Sequence, residues 1–271
     1  YKYLGLAWIP PEIREDTGEI EAAKSGGLPK LVELSDIKGD LQMHSKYSDG
    51  NNTIKDMAEE AISLGYEYIA ITDHVGLKIA NSMSDKEIIK QAKEIDELNK
   101  EFKRKGIKFR IFKSAEVDIN SEGNLNISKR ALEELDFVVA SIHVGKQNII
   151  QRYEKAMQNH KVKIIAHPTG RIINQREGFD FDVIELIELA NNNSVFLEVN
   201  ADPHRLDLRD MDVHEVVKIG GKIVISTDAH VRENLHNMKY GVYTARRGWA
   251  TKKNVINTLT LEEFCARFIY S

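Results

Sequence analysis

The stretch DLQMHSKYSDG, residues 40–50, combines a strand pattern with the first polar side chains of a candidate site. Leu41 and Met43 alternate with polar neighbours, which predicts a short strand with one buried face. The strand ends at His44, and a turn brings Asp49 close to this imidazole. An imidazole and a carboxylate at one strand end suit a metal ion, although a single such pair is more often an ordinary polar contact.

Strands of this kind recur along the chain. Short apolar runs predict seven strands, at about residues 40–44, 68–71, 108–112, 137–140, 163–166, 195–199 and 222–225. Amphipathic stretches predict helices near residues 53–64, 84–105, 128–135, 149–159, 180–192 and 210–219, with one or two more in 251–268. This α/β alternation implies a parallel sheet, and seven units fit a closed or nearly closed β/α barrel. An open doubly wound sheet is the competitor, but it normally places a ligand at one switch point.

Composition bounds the class of protein. The 271 residues are 42% hydrophobic and 30% charged, as in a globular protein with a sizeable core. No apolar run approaches the roughly 18 residues of a membrane span, and the first residues lack a signal peptide, so we expect a cytoplasmic protein without membrane contact. The single Cys265 excludes an internal disulfide and a multi-cysteine zinc site. The net charge of −4 argues against a broadly basic nucleic-acid surface but leaves room for a local patch.

Residues 1–35 differ from the rest of the chain. Pro10-Pro11 and Gly26-Gly27 interrupt regular structure, which predicts an extended arm with one short helix at most. This arm either docks on the main domain at 36–271 or is an interdomain linker. A start at Tyr1 rather than Met is compatible with a fragment of a longer protein.

Polar side chains follow nearly every predicted strand. They are His44 with Asp49, His74, Glu116, His143, His167, and Asp228 with His230. In a barrel the carboxyl ends of the strands converge on one face, where carboxylates repel one another and each imidazole needs a partner. Divalent cations resolve both problems. Eight ligands exceed one tetrahedral shell, so we expect two or three ions that share a carboxylate.

These motifs carry a family resemblance. Over residues 36 to about 250 they resemble the PHP (polymerase and histidinol phosphatase) family. Further phrases, at residues 9–15, 36–41, 167–171 and 246–249, resemble the C-terminal PHP domain of prokaryotic family-X DNA polymerases and the segment that leads into it. The polymerase core itself is absent from this chain.

The resemblance implies a distorted seven-stranded, TIM-like β/α barrel with a trinuclear metal centre. By motif position, the first ion takes His44, Glu116 and Asp228, the second takes Glu116, His143 and His167, and the third takes Asp49, His74 and His230. The family generally has His where this chain has Gln42, so the first site departs from the pattern. We keep Gln42 as a candidate ligand because its amide oxygen is a neutral, harder donor than imidazole.

The resemblance also implies the reaction, which is metal-dependent phosphoester hydrolysis on DNA. It would be a 3′→5′ exonuclease with related 3′-end or abasic-site processing, in which metal-activated water attacks the phosphodiester. Its metal ions would be Mn²⁺, Zn²⁺ or Mg²⁺, with Glu116, Asp228 and His230 as catalytic residues. DNA 3′ ends and an absent family-X polymerase core are the implied partners. The alternatives are a small-molecule phosphatase of the histidinol-phosphate type and a non-catalytic module of a polymerase.

Two groups of basic residues are candidates for substrate contact. Arg171, Arg205 and Arg209 are candidate phosphate ligands because a guanidinium matches phosphate oxygens, and Asn200 at a strand end joins them. Ion pairing with Asp207 and Asp210 is an equal alternative for the arginines. The second group either contacts the DNA backbone or forms a solvated face. It consists of Arg246, Arg247, Lys252 and Lys253.

Overall fold

Short parallel strands and helices alternate along the chain in the computed structural model, which describes residues 1–77 and 81–269. The strand segments are β1 Gly39–Asp40, β2 Tyr68–Ile71, β3 His74–Val75, β4 Arg110–Lys113, β5 Glu116–Asp118, β6 Val138–Ser141, β7 Val162–Ile165, β8 Phe196–Asn200 and β9 Ile223–Ser226. The helices are α1 Glu19–Ser25, α2 Ile54–Ser63, α3 Asp85–Arg104, α4 Lys129–Glu133, α5 Ile149–Met157, α6 Val183–Asn192, α7 Asp210–Lys218, α8 Met238–Arg247 and α9 Leu261–Phe264.

The nine strand segments occupy seven positions around a barrel. Two residues separate β2 from β3, and two separate β4 from β5, so each pair continues one strand. The order β1-β2-β4 is followed by β3-β5-β6-β7-β8-β9, and every pairing is parallel. A parallel bridge from Met43 to Ala229 joins the first strand to the last. The parallel α/β fold is as predicted, and this bridge closes the strand order in the way that a seven-stranded barrel requires.

Side chains on the strands alternate between two cores. On β2, Ile69 and Ile71 pack in the layer between strands and helices, whereas Tyr68 and Ala70 face the barrel interior. Phe264 of α9 stacks on the Tyr68 ring at 5.0 Å between centroids. Aromatic side chains therefore fill one end of the barrel, and the polar strand ends lie at the other.

The helices begin and end where local chemistry favours it. Thr53 caps α2, since its hydroxyl accepts a hydrogen bond from the Asp56 amide at 3.1 Å. Gly65 follows this helix with a φ of +82°, a conformation that glycine adopts without strain. Helix α8 was not predicted, although Met238, Val242 and Ala245 form a buried face. Within residues 1–77 and 81–269, no helix is long and apolar enough to cross a membrane.

The arm at residues 1–35 contacts the domain through the predicted basic cluster. Arg246 pairs with Glu12 at 2.7 Å and donates to the Val32 carbonyl at 2.8 Å, and Arg247 pairs with Glu15 at 2.9 Å. Beneath these pairs lies a small apolar cluster of arm residues that packs against Trp249. Two of the four basic residues are therefore occupied by arm carboxylates, which argues against a DNA contact there.

Candidate metal centre

Glu116 lies at the middle of the converged strand ends. It is the first residue of β5 and is only 1% exposed. Its Oε1 lies 2.9 Å from His167 Nε2 and 3.3 Å from His143 Nε2. Its Oε2 lies 3.2 Å from His74 Nδ1 and 3.5 Å from His44 Nε2. Each carboxylate oxygen thus faces two imidazoles, the arrangement that a bridging ligand requires.

Asp228 and His44 form the deeper, inner end of the centre with Glu116. Asp228 Oδ1 lies 3.0 Å from His44 Nε2, and Asp228 Oδ2 accepts a hydrogen bond from Asn200 Nδ2 at 3.0 Å. Asp228 follows β9 with a φ of +54°, which is uncommon for a residue with a side chain and turns it out of the strand. The ligand atoms of His44, Glu116 and Asp228 all lie within 4.8 Å of one another.

Asp49 and His230 form the outer end with His74. Asp49 lies 3.4 Å from His74 Nε2 and 3.5 Å from His230 Nε2, and about a third of each of the Asp49 and His230 side chains is exposed. His230 Nδ1 lies 2.7 Å from the Asp228 carbonyl, so this nitrogen carries the proton and donates it to the carbonyl. His230 Nε2 is thereby directed to the centre.

Asp73 holds the loop that supplies Asp49. This buried carboxylate accepts hydrogen bonds from the Ser45 amide at 2.7 Å, the Ser45 hydroxyl at 2.6 Å, the Ser48 hydroxyl at 2.5 Å and Gln91 Nε2 at 2.6 Å. Residue 50 is glycine because a Cβ there would lie 2.5 Å from the His44 carbonyl oxygen. Asp73 therefore couples helix α3 to the outer end of the centre.

Gln42 lies at the base of the inner end and is completely buried. One end of its amide is 3.5 Å from Asp228 Oδ1, and the other end is 2.6 Å from Glu198 Oε1. Burial, followed by the charge of Asp228, raises the pKa of Glu198 well above its usual range. The amide orientation that gives both groups a partner has Gln42 Nε2 donating to Glu198 Oε1 at 2.6 Å, with the amide oxygen on the side of Asp228. Glu198 was not among the predicted site residues.

The electrostatics of the centre favour added cations. Burial alone would lower the pKa of His74, but Glu116 and Asp49 raise it to about 11. Burial also opposes protonation of His230, yet its hydrogen bond to Asp49 raises its pKa to about 9. Burial would raise the pKa of Glu116, but the nearby imidazoles hold it well below its usual range.

One buried atom tests whether a metal ion fits. His44 Nδ1 is buried without a hydrogen-bond partner among the described residues, and Asp49 Oδ1 is 3.8 Å away. A buried imidazole nitrogen without a partner is costly, and a divalent cation would supply one. His44, Asp49, His74 and His230 bring ligand atoms within 4.8 Å of one another, and so do His74, Glu116 and His143. The donor set therefore suits divalent cations.

Comparison with known proteins identifies the family. The family model of the PHP domain matches residues 40–202. The chain belongs to the PHP domain family. It is accordingly a metal-dependent phosphoesterase. It is 47% identical over 268 residues to a Bacillus subtilis (strain 168) protein named DNA polymerase/3′-5′ exonuclease PolX, a match that covers 97% of this chain and 46% of that protein. The chain thus spans less than half the length of this relative.

Other relatives of this PHP domain are more distant. A Thermoanaerobacter protein named probable phosphatase is 27% identical over 221 residues, which cover 76% of this chain and 84% of that one. Histidinol phosphate phosphatase from Lactococcus lactis, solved with zinc, L-histidinol and phosphate, superposes with a TM-score of 0.53 and 19% identity over 77% of this chain and 93% of that one. A putative histidinol phosphatase from Listeria monocytogenes superposes with a TM-score of 0.59 and 15% identity, over 73% of this chain and 97% of that one. These two structures share the fold of the PHP domain.

The predicted substrate residues have different environments in the PHP domain. Arg205 Nε lies 3.6 Å from Asp228 Oδ2, and its buried Nη1 has no hydrogen-bond partner among the described residues. Arg171 donates Nε to the Arg205 carbonyl at 2.9 Å. Asn200 is buried, and its amide nitrogen donates to Asp228, so its visible role is to position this carboxylate. Arg209 forms two 2.9 Å contacts with Asp212, rather than with the expected Asp207 or Asp210.

Three acidic residues of the centre were missed. Asp73 and Glu198 are described above, and Asp118 lies 3.4 Å from His143 Nδ1 and accepts from the His143 amide at 3.2 Å. Each of the three holds a candidate ligand or its loop in place. The available signal was an acid inside or beside a buried strand, since a buried carboxylate requires partners.

Proposed function

We propose that this PHP domain hydrolyses phosphodiester bonds at the 3′ ends of DNA and removes nucleotides in the 3′→5′ direction. The observation that carries the proposal is the 47% identity, over 97% of the chain, to a relative named as a 3′-5′ exonuclease. The catalytic candidates Glu116, Asp228 and His230 all lie in the centre. Related processing of blocked 3′ ends or abasic sites is compatible with the same chemistry.

We assign two or three divalent ions, Mn²⁺ or Zn²⁺ and alternatively Mg²⁺, to the three groups predicted from the motifs. When bound, such ions supply an activated water and neutralise charge on the phosphate. Glu116 would bridge, with His44 and Asp228 on one side and His143 and His167 on the other. The third group is Asp49, His74 and His230. Gln42 remains a proposed ligand through its amide oxygen, which lies on the side of Asp228 when Nε2 donates to Glu198.

The protein's own residues orient the reacting groups. Asn200 and His44 hold Asp228 in one position, and both contacts favour its ionised form. His230 donates its Nδ1 proton to the Asp228 carbonyl. Its Nε2, at the more exposed end of the centre, is therefore the atom that would bind a metal ion or exchange a proton. Arg205, with an unpartnered Nη1, is the guanidinium best placed to contact a substrate phosphate beside Asp228.

The same proposal includes the surroundings of the domain. DNA 3′ ends are the proposed partner, and residues 1–35 would join the domain at 36–271 to a family-X polymerase core. The ion pairs of Arg246 and Arg247 with the arm support a fixed connection, because they hold its acidic part against α8.

A second candidate function is hydrolysis of small phosphomonoesters. The 27% identity to a protein named probable phosphatase, over 76% of the chain, favours this reading. The two functions differ in salt dependence, since binding to DNA weakens steeply with salt whereas binding of a small ester does not.

A labelled-oligonucleotide assay tests the proposal. Single-stranded DNA with a 5′ fluorophore, incubated with the domain and Mn²⁺, should yield a ladder that shortens from the 3′ end. An oligonucleotide with a 3′-terminal phosphorothioate should resist, and chelator should stop the reaction. Hydrolysis of histidinol phosphate without any shortening of DNA would contradict the proposal and favour the second candidate.

A further inference from the structure

A cavity of about 740 Å³ is lined by residues of the segment 169–183, which follows β7, and by Arg209. This volume lies within the range of about 300–1,000 Å³ that small-ligand sites occupy. Its walls combine guanidinium groups with aromatic and aliphatic side chains. They include Arg171, Ile172, Arg176, Phe179, Phe181 and Arg209.

The loop that forms the cavity is held by its own hydrogen bonds. The Phe179 amide donates to the Thr169 carbonyl at 2.7 Å, and Ile172 forms an antiparallel bridge with Arg176. Gly170 has a φ of +66°, and a Cβ there would lie 2.6 Å from the Phe179 ring. Only glycine fits this position without displacing Phe179, so the aromatic wall is formed before any ligand arrives.

The cavity walls carry three arginines and one acid, Glu177. Within residues 1–77 and 81–269, neither Arg171 nor Arg176 has a carboxylate oxygen within 4.0 Å of its guanidinium nitrogens. Arg176 donates Nε to the Gly170 carbonyl at 2.8 Å, which leaves its terminal nitrogens for a ligand. Burial lowers the pKa of both arginines, although the charge of Asp207 acts in the opposite direction. Arg209 differs, because Asp212 already pairs with it.

A short chain of contacts connects the cavity to the centre. Arg171 donates to the Arg205 carbonyl at 2.9 Å, and Arg205 Nε lies 3.6 Å from Asp228. The loop itself begins directly after His167, whose Nε2 is 2.9 Å from Glu116. Arg171 and the loop after His167 therefore link the wall of the cavity to the centre.

We propose that this cavity binds one nucleotide of the substrate strand, upstream of the bond that is cleaved, with its phosphate at Arg176 and Arg171 and its base against Phe179. The inference rests on the proposed exonuclease function. A guanidinium pair without an acid partner suits a phosphate, and an aromatic face stacks with any base. Such a site would position the strand without selecting a sequence.

Binding measurements on the metal-loaded domain test the cavity. The probe is a 5′-fluorescein single-stranded oligonucleotide with phosphorothioate linkages at its 3′ end, and Kd is measured by anisotropy at several salt concentrations. Arg176→Gln should weaken binding roughly tenfold and reduce the salt slope by about 0.7, the value for one phosphate contact on a single strand. Phe179→Leu should weaken binding roughly tenfold with the salt slope unchanged, because it removes stacking.

Two further variants separate charge from structure. Arg176→Lys keeps the positive charge but loses the planar fork, so it should restore the salt slope. Arg104→Gln, at the exposed end of α3, is the matched arginine control and should bind like the parent. Thermal unfolding and metal content of each variant show whether it is folded.

The outcomes distinguish this inference from the proposed function. If the parent binds and degrades DNA but Arg176→Gln keeps the parent Kd and salt slope, the cavity assignment is wrong and the exonuclease proposal stands. The assignment is also wrong if Arg176→Gln weakens binding with no change in the salt slope, or if Arg176→Lys fails to restore the salt slope of the parent. A parent that hydrolyses bis(4-nitrophenyl) phosphate with Mn²⁺ but neither binds nor degrades the oligonucleotide overturns both.

Discussion

The inner and outer ends of the metal centre use the same residue types in opposite surroundings. At the inner end Glu116 is 1% and Asp228 7% exposed, whereas Asp49 and His230 at the outer end are 35% and 36% exposed. Burial, followed by the charge of Arg205, lowers the pKa of His167, the buried imidazole 2.9 Å from Glu116, to about 4, so this imidazole is neutral. His230, with its pKa raised to about 9, holds a proton that a metal must displace.

The difference extends to the residues that hold each end. The candidate ligands of the inner end are held by the strands themselves, and buried Asn200 also holds Asp228. The outer ligand Asp49 lies on a loop, and this loop depends on the hydrogen bonds to Asp73. We infer that the inner end retains its cation and that the outer end loads and releases its cation more readily.

The largest effect should come from the residue that both ends share. Glu116→Gln keeps the size of the side chain but removes the charge that faces four imidazoles, so metal should be lost from both ends. Phosphodiesterase activity should fall by more than the roughly 10–100-fold that follows loss of a residue supporting a ligand. Elemental analysis and the oligonucleotide assay are the measurements, with Glu59→Gln on the exposed face of α2 as the control. Full phosphodiesterase activity of the Glu116→Gln variant would show that Glu116 is not part of the metal centre.

A smaller and more selective effect is expected at Asp73. Asp73→Asn replaces a carboxylate oxygen with an NH₂ group that cannot accept from the Ser45 amide and hydroxyls, so the Asp49 loop should loosen. Metal affinity at the outer end should fall roughly 10–100-fold, with the inner end nearly unchanged. Competition with a chromogenic chelator resolves the two classes of site. Asp85→Asn, which loses only an exposed contact to Ser128, is the control. An equal loss of metal affinity at both ends would contradict the division of the centre into an inner and an outer end.

Acidification should affect the two ends differently. His74 and His230 have pKa values raised to about 11 and about 9, so both hold protons at pH 7 when no metal is bound. Outer-end affinity should therefore fall as pH falls, by roughly tenfold per pH unit for each displaced proton. His167, with its pKa lowered to about 4, should add no pH dependence to metal binding between pH 8 and pH 6.

The free energy of unfolding of the metal-free protein should depend on pH in the opposite direction, and fall as pH rises. The pKa of His230 in the folded protein lies above the ordinary value of 6.5. The stabilisation that protonated His230 gives the fold is therefore complete below pH 6.5 and is lost as pH rises through about 9. Zinc titrations and thermal unfolding at pH 6, 7 and 8 test both statements, with His236→Gln as a surface control. A pH-independent outer affinity would show that these imidazoles do not hold displaceable protons.

The barrel was predictable because strand ends and helix periods are local signals. The ligand candidates followed, since residues that end parallel strands must converge. Helix α8 was missed because Gly241 interrupts its pattern, yet a Cβ there would lie 2.4 Å from Ile225 Cγ2, so packing requires the glycine. The contact between Gln42 and Glu198 joins residues 156 positions apart in the chain, and no local pattern reports such a pair.

Gln42 offers the finest test of the inner end. A histidine at this position would offer an imidazole nitrogen in place of an amide oxygen, which zinc prefers more strongly than manganese or magnesium do. The gain is reduced because the substitution also breaks the contact with Glu198, whose raised pKa depends on burial beside Asp228. We therefore expect Gln42→His to tighten zinc at the inner end only several-fold, roughly 1 kcal/mol, and to leave the outer end unchanged.

The variant Gln42→Ala separates the two contributions to this prediction. It breaks the contact with Glu198 without adding a nitrogen donor. Zinc affinity at the inner end should therefore fall slightly or stay constant in Gln42→Ala, whereas it should rise in Gln42→His. Zinc and manganese titrations of the parent and both variants give the comparison. If Gln42→His changes no affinity, or changes both ends equally, residue 42 does not reach the metal. The amide then serves only to bind Glu198, and the inner end is built from His44, Glu116 and Asp228 alone.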